Sequence, residues 1–176
     1  MYKKTNKQLI GHIGEHLACA ELGKRGYIAT PFAGNVPIFD LLIANKDLQS
    51  LPIQIKTSTT GKWKESANKW LNIEIDHKNK KQIDKGDKKI ENPNLIYIYI
   101  LLSKSSERDR FFILNKKQLQ KIIASHYRNY MNGKNWIRPK KYDSYDCTFI
   151  VDEINMYENK WGLIKNSIGK HTIIFK

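Results

Sequence analysis

Leu9, Ile13, Leu17, Ala20 and Leu22 recur three to four residues apart, so the chain is expected to open with a helix from about Asn6 to Arg25, with Gly26 placed to end it. The period then changes. Tyr27 to Thr30 reads as a short strand, and Pro31 to Pro37, with Gly34 and Asn35, as a turn-rich link. Ile38 to Ala44 is apolar except for Asp40, Asn45-Lys46-Asp47 reads as a hairpin turn, and Leu51 to Thr59 as the next strand. These last two runs are therefore expected to be antiparallel neighbours. Trp70 to Ile75 alternates Leu71, Ile73 and Ile75 with Asn72 and Glu74, whereas Leu95 to Leu102 is continuously apolar, the signature of a strand covered on both faces.

His77 to Asn94 separates those two strands and carries Lys78, Lys80, Lys81, Lys85, Lys88 and Lys89 against Asp84, Asp87 and Glu91, so it reads as a solvated loop that could touch phosphates. Phe111 to Leu114 is a further strand. Lys116 to Tyr130 is a helix with Leu119, Ile122, Ile123 and Tyr127 inward, followed by Gly133. Trp136 to Tyr145 is basic and aromatic, Ile154 to Ile164 has a helical pattern, and Thr172 to Phe175 a strand-like one. No internal repeat is visible. The fold expected is α/β: a central mixed sheet of four or five strands, the first helix on one face and the Lys116 to Tyr130 helix on the other. Its 176 residues suit one domain, with a core at about 6–130 and residues 131–176 as a C-terminal extension packed on it.

Charge adds a partner to this picture. Thirty-one Lys and Arg against 17 Asp and Glu give a formal net charge of +14, which favours a polyanion, nucleic acid first, over acidic small molecules. Charge alone does not separate DNA from RNA. Two cysteines, Cys19 and Cys147, form neither a disulfide framework nor a metal knuckle. With no apolar run of the roughly 18 residues a membrane span needs, and Met1-Tyr2-Lys3-Lys4-Thr5 leading to Gly11 and His12 instead of an apolar signal core, the expectation is a cytoplasmic protein with no membrane partner.

The chemistry concentrates on Leu51-Pro52-Ile53-Gln54-Ile55-Lys56-Thr57-Ser58. A strand's period of two sets Gln54, Lys56 and Ser58 on one face and Ile53, Ile55 and Thr57 on the other. Burying an amide and an ammonium together is costly, so they are either solvated or committed to a task. Asp40, the single charge of its own strand, lies across the hairpin from Gln54, and Glu15 is the acid in the middle of the first helix.

Gly11-His12-Ile13-Gly14-Glu15, Pro37-Ile38-Phe39-Asp40 and Gln54-Ile55-Lys56-Thr57-Ser58, in this order and spacing, resemble the PD-(D/E)xK nuclease superfamily, which has a restriction-endonuclease-like core. Where an acid is usual this chain has Gln54, the pattern of a branch resembling intron-encoded homing endonucleases. The resemblance implies a metal-dependent endonuclease hydrolysing phosphodiester bonds in DNA, with Glu15, Asp40, Gln54 and Lys56 as catalytic residues. Mg²⁺ or Mn²⁺ would be held by Asp40, the Gln54 side-chain oxygen, the main-chain carbonyl of Ile55, and Glu15 directly or through water. Lys56 would favour the hydroxide form of the attacking water or neutralise charge on the phosphorane. Gln54 removes one negative charge from the cage, so a single well-held ion is expected.

Ser58, Lys62, Trp63, Lys64, Arg138, Lys140 and Lys141 are candidate nucleic-acid contacts, because cations interleaved with aromatics can neutralise phosphates and pack on sugars or bases. Cutting both strands usually takes two sites, so a homodimer or higher homo-oligomer is plausible. Two other readings stay open. Gln54 could mark a catalytically inactive nucleic-acid-binding module on a nuclease fold. His12-Ile13-Gly14-Glu15-His16 also fits H-x-x-E-H, a zinc metallopeptidase pattern, with Glu91 as a conceivable third ligand.

Overall fold

A computed structural model of the chain describes residues 7–32, 38–103 and 107–170. In chain order the elements are α1 (Lys7–Gly23), β1 (Ile28–Pro31), β2 (Leu41–Ala44), β3 (Ser50–Ser58), β4 (Lys62–Ser66), β5 (Leu71–Asp76), β6 (Lys81–Asp87), β7 (Ile96–Leu101), β8 (Arg110–Asn115), α2 (Lys116–Asn132), β9 (Asp146–Ile150) and α3 (Gly162–Ser167). Short 3₁₀ turns occupy Ala67–Lys69 and Val151–Tyr157. Five strands form the central mixed sheet in the order β1-β2-β3-β7-β8, and β4-β9 and β5-β6 form two small two-stranded sheets.

Among the described residues only β3 and β7 run parallel, with Gln54 beside Tyr97 and Lys56 beside Tyr99. The apolar run that makes β7 therefore has two unlike faces. Ile96, Ile98 and Ile100 join Ile53 and Ile55 of β3 and Ala18 and Leu22 of α1 in an aliphatic core. Tyr97 and Tyr99 point the other way, into an aromatic core with Trp63, Phe112 and Phe149 and with Leu119, Ile123 and Tyr127 of α2. The α1 side is tightly closed: a Cβ on Gly14 would lie 1.8 Å from Thr57 Oγ1, so only glycine lets α1 approach β3 this closely. At the other helix Asn115 caps α2 by accepting the Gln118 N–H at 2.9 Å while Gln118 Oε1 accepts the Asn115 N–H at 2.8 Å.

Three strands depart from expectation. The Lys-rich segment is not a loop throughout: β6 pairs antiparallel with β5, across a register shift between Leu71 and Ile73. Its polar side chains are satisfied by distant partners that no local pattern reveals. Gln82 is fully buried, donating to the carbonyls of Tyr142 at 2.7 Å and Ser144 at 3.0 Å and accepting the Tyr127 hydroxyl at 2.6 Å. Arg128 holds Asp84 and Asp87 at 2.6 and 2.8 Å. The other two are β4 and β9, which pair with each other and bring residues near the C-terminal end of the described chain onto the core. Instead of one helix over Ile154 to Ile164, the 3₁₀ turn ends at Tyr157 and α3 starts at Gly162. The strand expected at Thr172 to Phe175, Asn6 and the 33–37 part of the link lie outside the described residues.

Candidate active site

The β2-β3 ladder ends at Leu41 opposite Ile53, and Asp40 sits just before it. Its backbone is held there, the N–H donating to Ile53 O at 2.9 Å and the carbonyl accepting from Phe32 N–H at 3.1 Å. Past this point no strand among the described residues pairs with β3 on that edge, so the Ile55 N–H needs another acceptor. Asp40 Oδ2 provides it at 2.7 Å and also accepts from the Gln54 side-chain amide. The expected adjacency of Asp40 and Gln54 is thus realised through direct contact. In a strand the N–H and C=O of one residue project to the same edge, so the Ile55 carbonyl is directed to the side where its N–H meets Asp40.

Gln54 and Lys56 face a cleft of about 560 Å³, with Tyr97, Trp70 and Glu65 in its walls and Lys69, Lys88, Lys89 and Lys116 around it. Lys56 is half-buried and makes no ion pair among the described residues. Burial pushes the Tyr97 hydroxyl up to about 12, and the negative charges of Glu65 and Asp40 add to the effect. Tyr99, fully buried with its hydroxyl 3.5 Å from Glu65 Oε1, is raised further by the same burial and by Glu65. Tyr97 is therefore a neutral wall between two carboxylates. Burial lowers the Lys116 ammonium below the usual lysine range against the opposing pull of Glu91.

Glu15 is placed differently. It lies on α1, half-buried, with His12 Nδ1 at 3.5 Å, and no contact joins it to Asp40, Gln54 or Lys56. Its neighbour Gly14 rests on Thr57, one residue beyond Lys56, which brings the backbone of α1 close to that part of β3. His12 and His16 face solvent, and Glu91 is in the cleft instead of beside them. Among the described residues no three His, Cys, Asp or Glu side chains converge as metal ligands, so the zinc-peptidase constellation is not assembled. The donors that do converge suit a hard cation: the Oδ1 of Asp40, the Gln54 oxygen left free when its nitrogen donates, and a main-chain carbonyl.

The expected nucleic-acid contacts divide into two groups. Lys62, Lys64, Lys140 and Lys141 are exposed. Trp63, only 5% exposed, stacks on Phe149 at 5.8 Å and meets Tyr99 edge-on at 5.3 Å, so its ring is a core group. Ser58, 7% exposed, accepts the N–H groups of Thr60 and Lys62 at 3.1 and 3.2 Å and so shapes the turn into β4. Arg138 also turns inward, donating to the carbonyls of Ser144 at 2.9 Å and Asp146 at 2.8 Å.

Glu65, Lys69, Tyr97 and Lys116 are cleft residues that sequence reasoning missed. Tyr97 carried one legible signal, the alternation of Ile with Tyr inside β7, whereas Glu65 depends on the pairing of β4 with β9.

No family model and no curated protein matches the chain. Among solved structures, a bacterial homing endonuclease, I-Ssp6803I, aligns at a TM-score of 0.52 and 14% identity, over 96% of this chain and 100% of that one. Hjc, a Holliday junction resolvase of Archaeoglobus fulgidus, aligns more distantly, at a TM-score of 0.40 and 15% identity over 83% of this chain and 93% of that one. The chain has the restriction-endonuclease-like α/β fold that the sequence led us to expect.

Proposed function

We propose that this protein is a metal-dependent endonuclease that hydrolyses phosphodiester bonds in DNA. The observation that carries the proposal is the meeting of Asp40, the Gln54 amide and the Ile55 backbone at the open edge of β3, with Lys56 two residues on facing a lysine-rimmed cleft. Asp40, Gln54 and the Ile55 carbonyl would hold Mg²⁺ or Mn²⁺, with Glu15 acting through water from α1. The ion would supply Lewis acidity on the scissile phosphate.

The chain's own residues do the rest. Asp40 fixes the Gln54 amide, so the amide oxygen is held towards the cleft without reorganisation. Lys56, half-buried and without an ion pair among the described residues, would place a positive charge where a water loses its proton and where the phosphate gains negative charge. Lys69, Lys88, Lys89 and Lys116 neutralise the approaching backbone, and Tyr97 stays protonated throughout the working pH range.

The second reading, a binding module without catalysis, is favoured by the same hydrogen bond, since the Gln54 nitrogen and the Ile55 N–H already occupy one oxygen of Asp40. Activity separates the two. Wild type, Asp40→Ala and Lys56→Ala are incubated with plasmid, linear and branched DNA, and with RNA, in Mg²⁺ or Mn²⁺. Nicking of DNA by the wild type and not by the variants is expected. Binding without nicking, or equal nicking by all three, defeats the nuclease reading, and preferential RNA cleavage replaces the substrate.

A further inference from the structure

Two basic segments far apart in sequence are bonded directly to one another. The turn that joins β5 to β6 carries exposed Lys78 and Lys80 and leads into exposed Lys81, while the segment after α2 carries exposed Lys140 and Lys141. His77 Nδ1 lies 3.0 Å from the Tyr142 hydroxyl, with the two rings edge-on at 5.9 Å. The Gln82 N–H donates to the Trp136 carbonyl at 2.9 Å, and its buried side chain reaches the carbonyls of Tyr142 and Ser144. Arg138, between the segments' lysines in sequence, spends its guanidinium on the carbonyls of Ser144 and Asp146 and on Tyr127, which fixes the loop from below.

None of the five lysines forms an ion pair among the described residues. A scaffold that bonds two lysine-bearing segments together gains nothing from their like charges in isolation, because they repel one another. It gains when a polyanion releases its counterions on binding.

We propose that Lys78, Lys80, Lys81, Lys140 and Lys141 form a preorganised anchor for the phosphate backbone of duplex DNA, separate from the cleft. Seven residue steps along and just past β6, at about 3.3 Å each, put Lys81 about 23 Å from Lys88 at the cleft. At a rise of about 3.4 Å per base pair, the anchor touches duplex about seven base pairs beyond the stretch that lies at Lys88. The proposal rests on the nuclease reading of the cleft and specifies how its substrate is held.

The test is fluorescence anisotropy with a duplex of about 30 base pairs, in Ca²⁺ in place of Mg²⁺, over a series of KCl concentrations. Removing one lysine–phosphate interaction lowers the slope of log K against log salt by about 0.9. The variant with all five lysines changed to Gln is expected to lose about 4.5 from that slope, and Lys140→Gln with Lys141→Gln about 1.8. Thermal melting of both should match the wild type. Shortening the duplex arms to fewer than about seven base pairs should cost the wild type the same slope and leave the five-lysine variant unchanged. If the wild type nicks plasmid DNA but the five-lysine variant keeps the wild-type slope, the anchor is overturned and the cleft reading stands. If the wild type neither binds nor nicks duplex, both fall.

Discussion

The two faces of the central sheet solve different problems with the same strands. Towards α1, β3 and β7 present Ile53, Ile55, Ile96, Ile98 and Ile100, aliphatic groups that need only close packing, and Gly14 is spent to achieve it. Towards α2 they present Gln54, Lys56, Tyr97 and Tyr99, where rings fill volume and polar ends reach a cleft. A β-strand can be both a stability element and a reactive surface because its side chains alternate. Substitutions on one face should therefore leave the property of the other unchanged.

The largest expected separation is at Lys56. Lys56→Met keeps the aliphatic stem, so the melting temperature should stay within about 2 °C of wild type, while the single-turnover DNA cleavage rate falls by roughly 10²- to 10⁴-fold. An equal loss of stability would mean that the ammonium is structural and that the faces are not independent. Gly14→Ala tests the opposite case. Its Cβ meets Thr57 side-chain atoms at 1.8, 2.9 and 3.0 Å, all on a stiff β-branched residue, so α1 must move off β3. A loss of about 1–3 kcal/mol is expected in urea unfolding, partly offset by the better helix propensity of alanine.

Gly11, one turn earlier, calibrates that measurement. A Cβ there meets nothing within 4 Å, so Gly11→Ala should stabilise by up to about 1 kcal/mol through helix propensity alone.

The smallest effect is at the rim of the aromatic face, where Arg110 donates to Glu158 at 2.6 and 2.9 Å and stacks over Phe112 at 5.1 Å. The hydrogen bond from Arg110, countered by some burial and helped by its charge, holds Glu158 below the usual carboxylate range. A depressed carboxylate contributes stability above its unfolded pKa and loses it as pH falls through the folded value. The difference in melting temperature between wild type and Arg110→Gln should therefore be present at pH 7 and shrink as the pH drops below about 4. The pair is partly exposed, so salt should weaken it as well.

The same contrast explains which parts of the molecule were legible in the sequence. α1, the β2-β3 hairpin, β7, β8 and α2 each carry their burial pattern within one contiguous window, and their positions follow from it. β4, β6 and β9 do not, because their stability comes from pairing across the chain and from single groups such as Gln82 and Trp63. The site divides in the same way. Asp40 beside Gln54 follows from a hairpin and a period of two, so local rules reach it. Glu65 in the cleft and Trp63 in the core depend on neighbours 34 or more positions away, and Arg138 is folded inwards by carbonyls of its own loop that no spacing encodes.

The parallel pairing of β3 with β7 has a kinetic consequence. Roughly forty residues of chain, including β4, β5 and β6, separate Ile53 from its partner Ile96, so this pairing closes a long loop before it returns any burial. The hairpins on either side can form locally, and Asp40 can meet Gln54 as soon as β2 and β3 zip together. The tyrosine wall of the cleft waits for β7. Refolding should accordingly show early hairpin signals and a slower tyrosine signal as Tyr97 and Tyr99 are covered, so that the cleft face is among the last parts of the sheet to be completed.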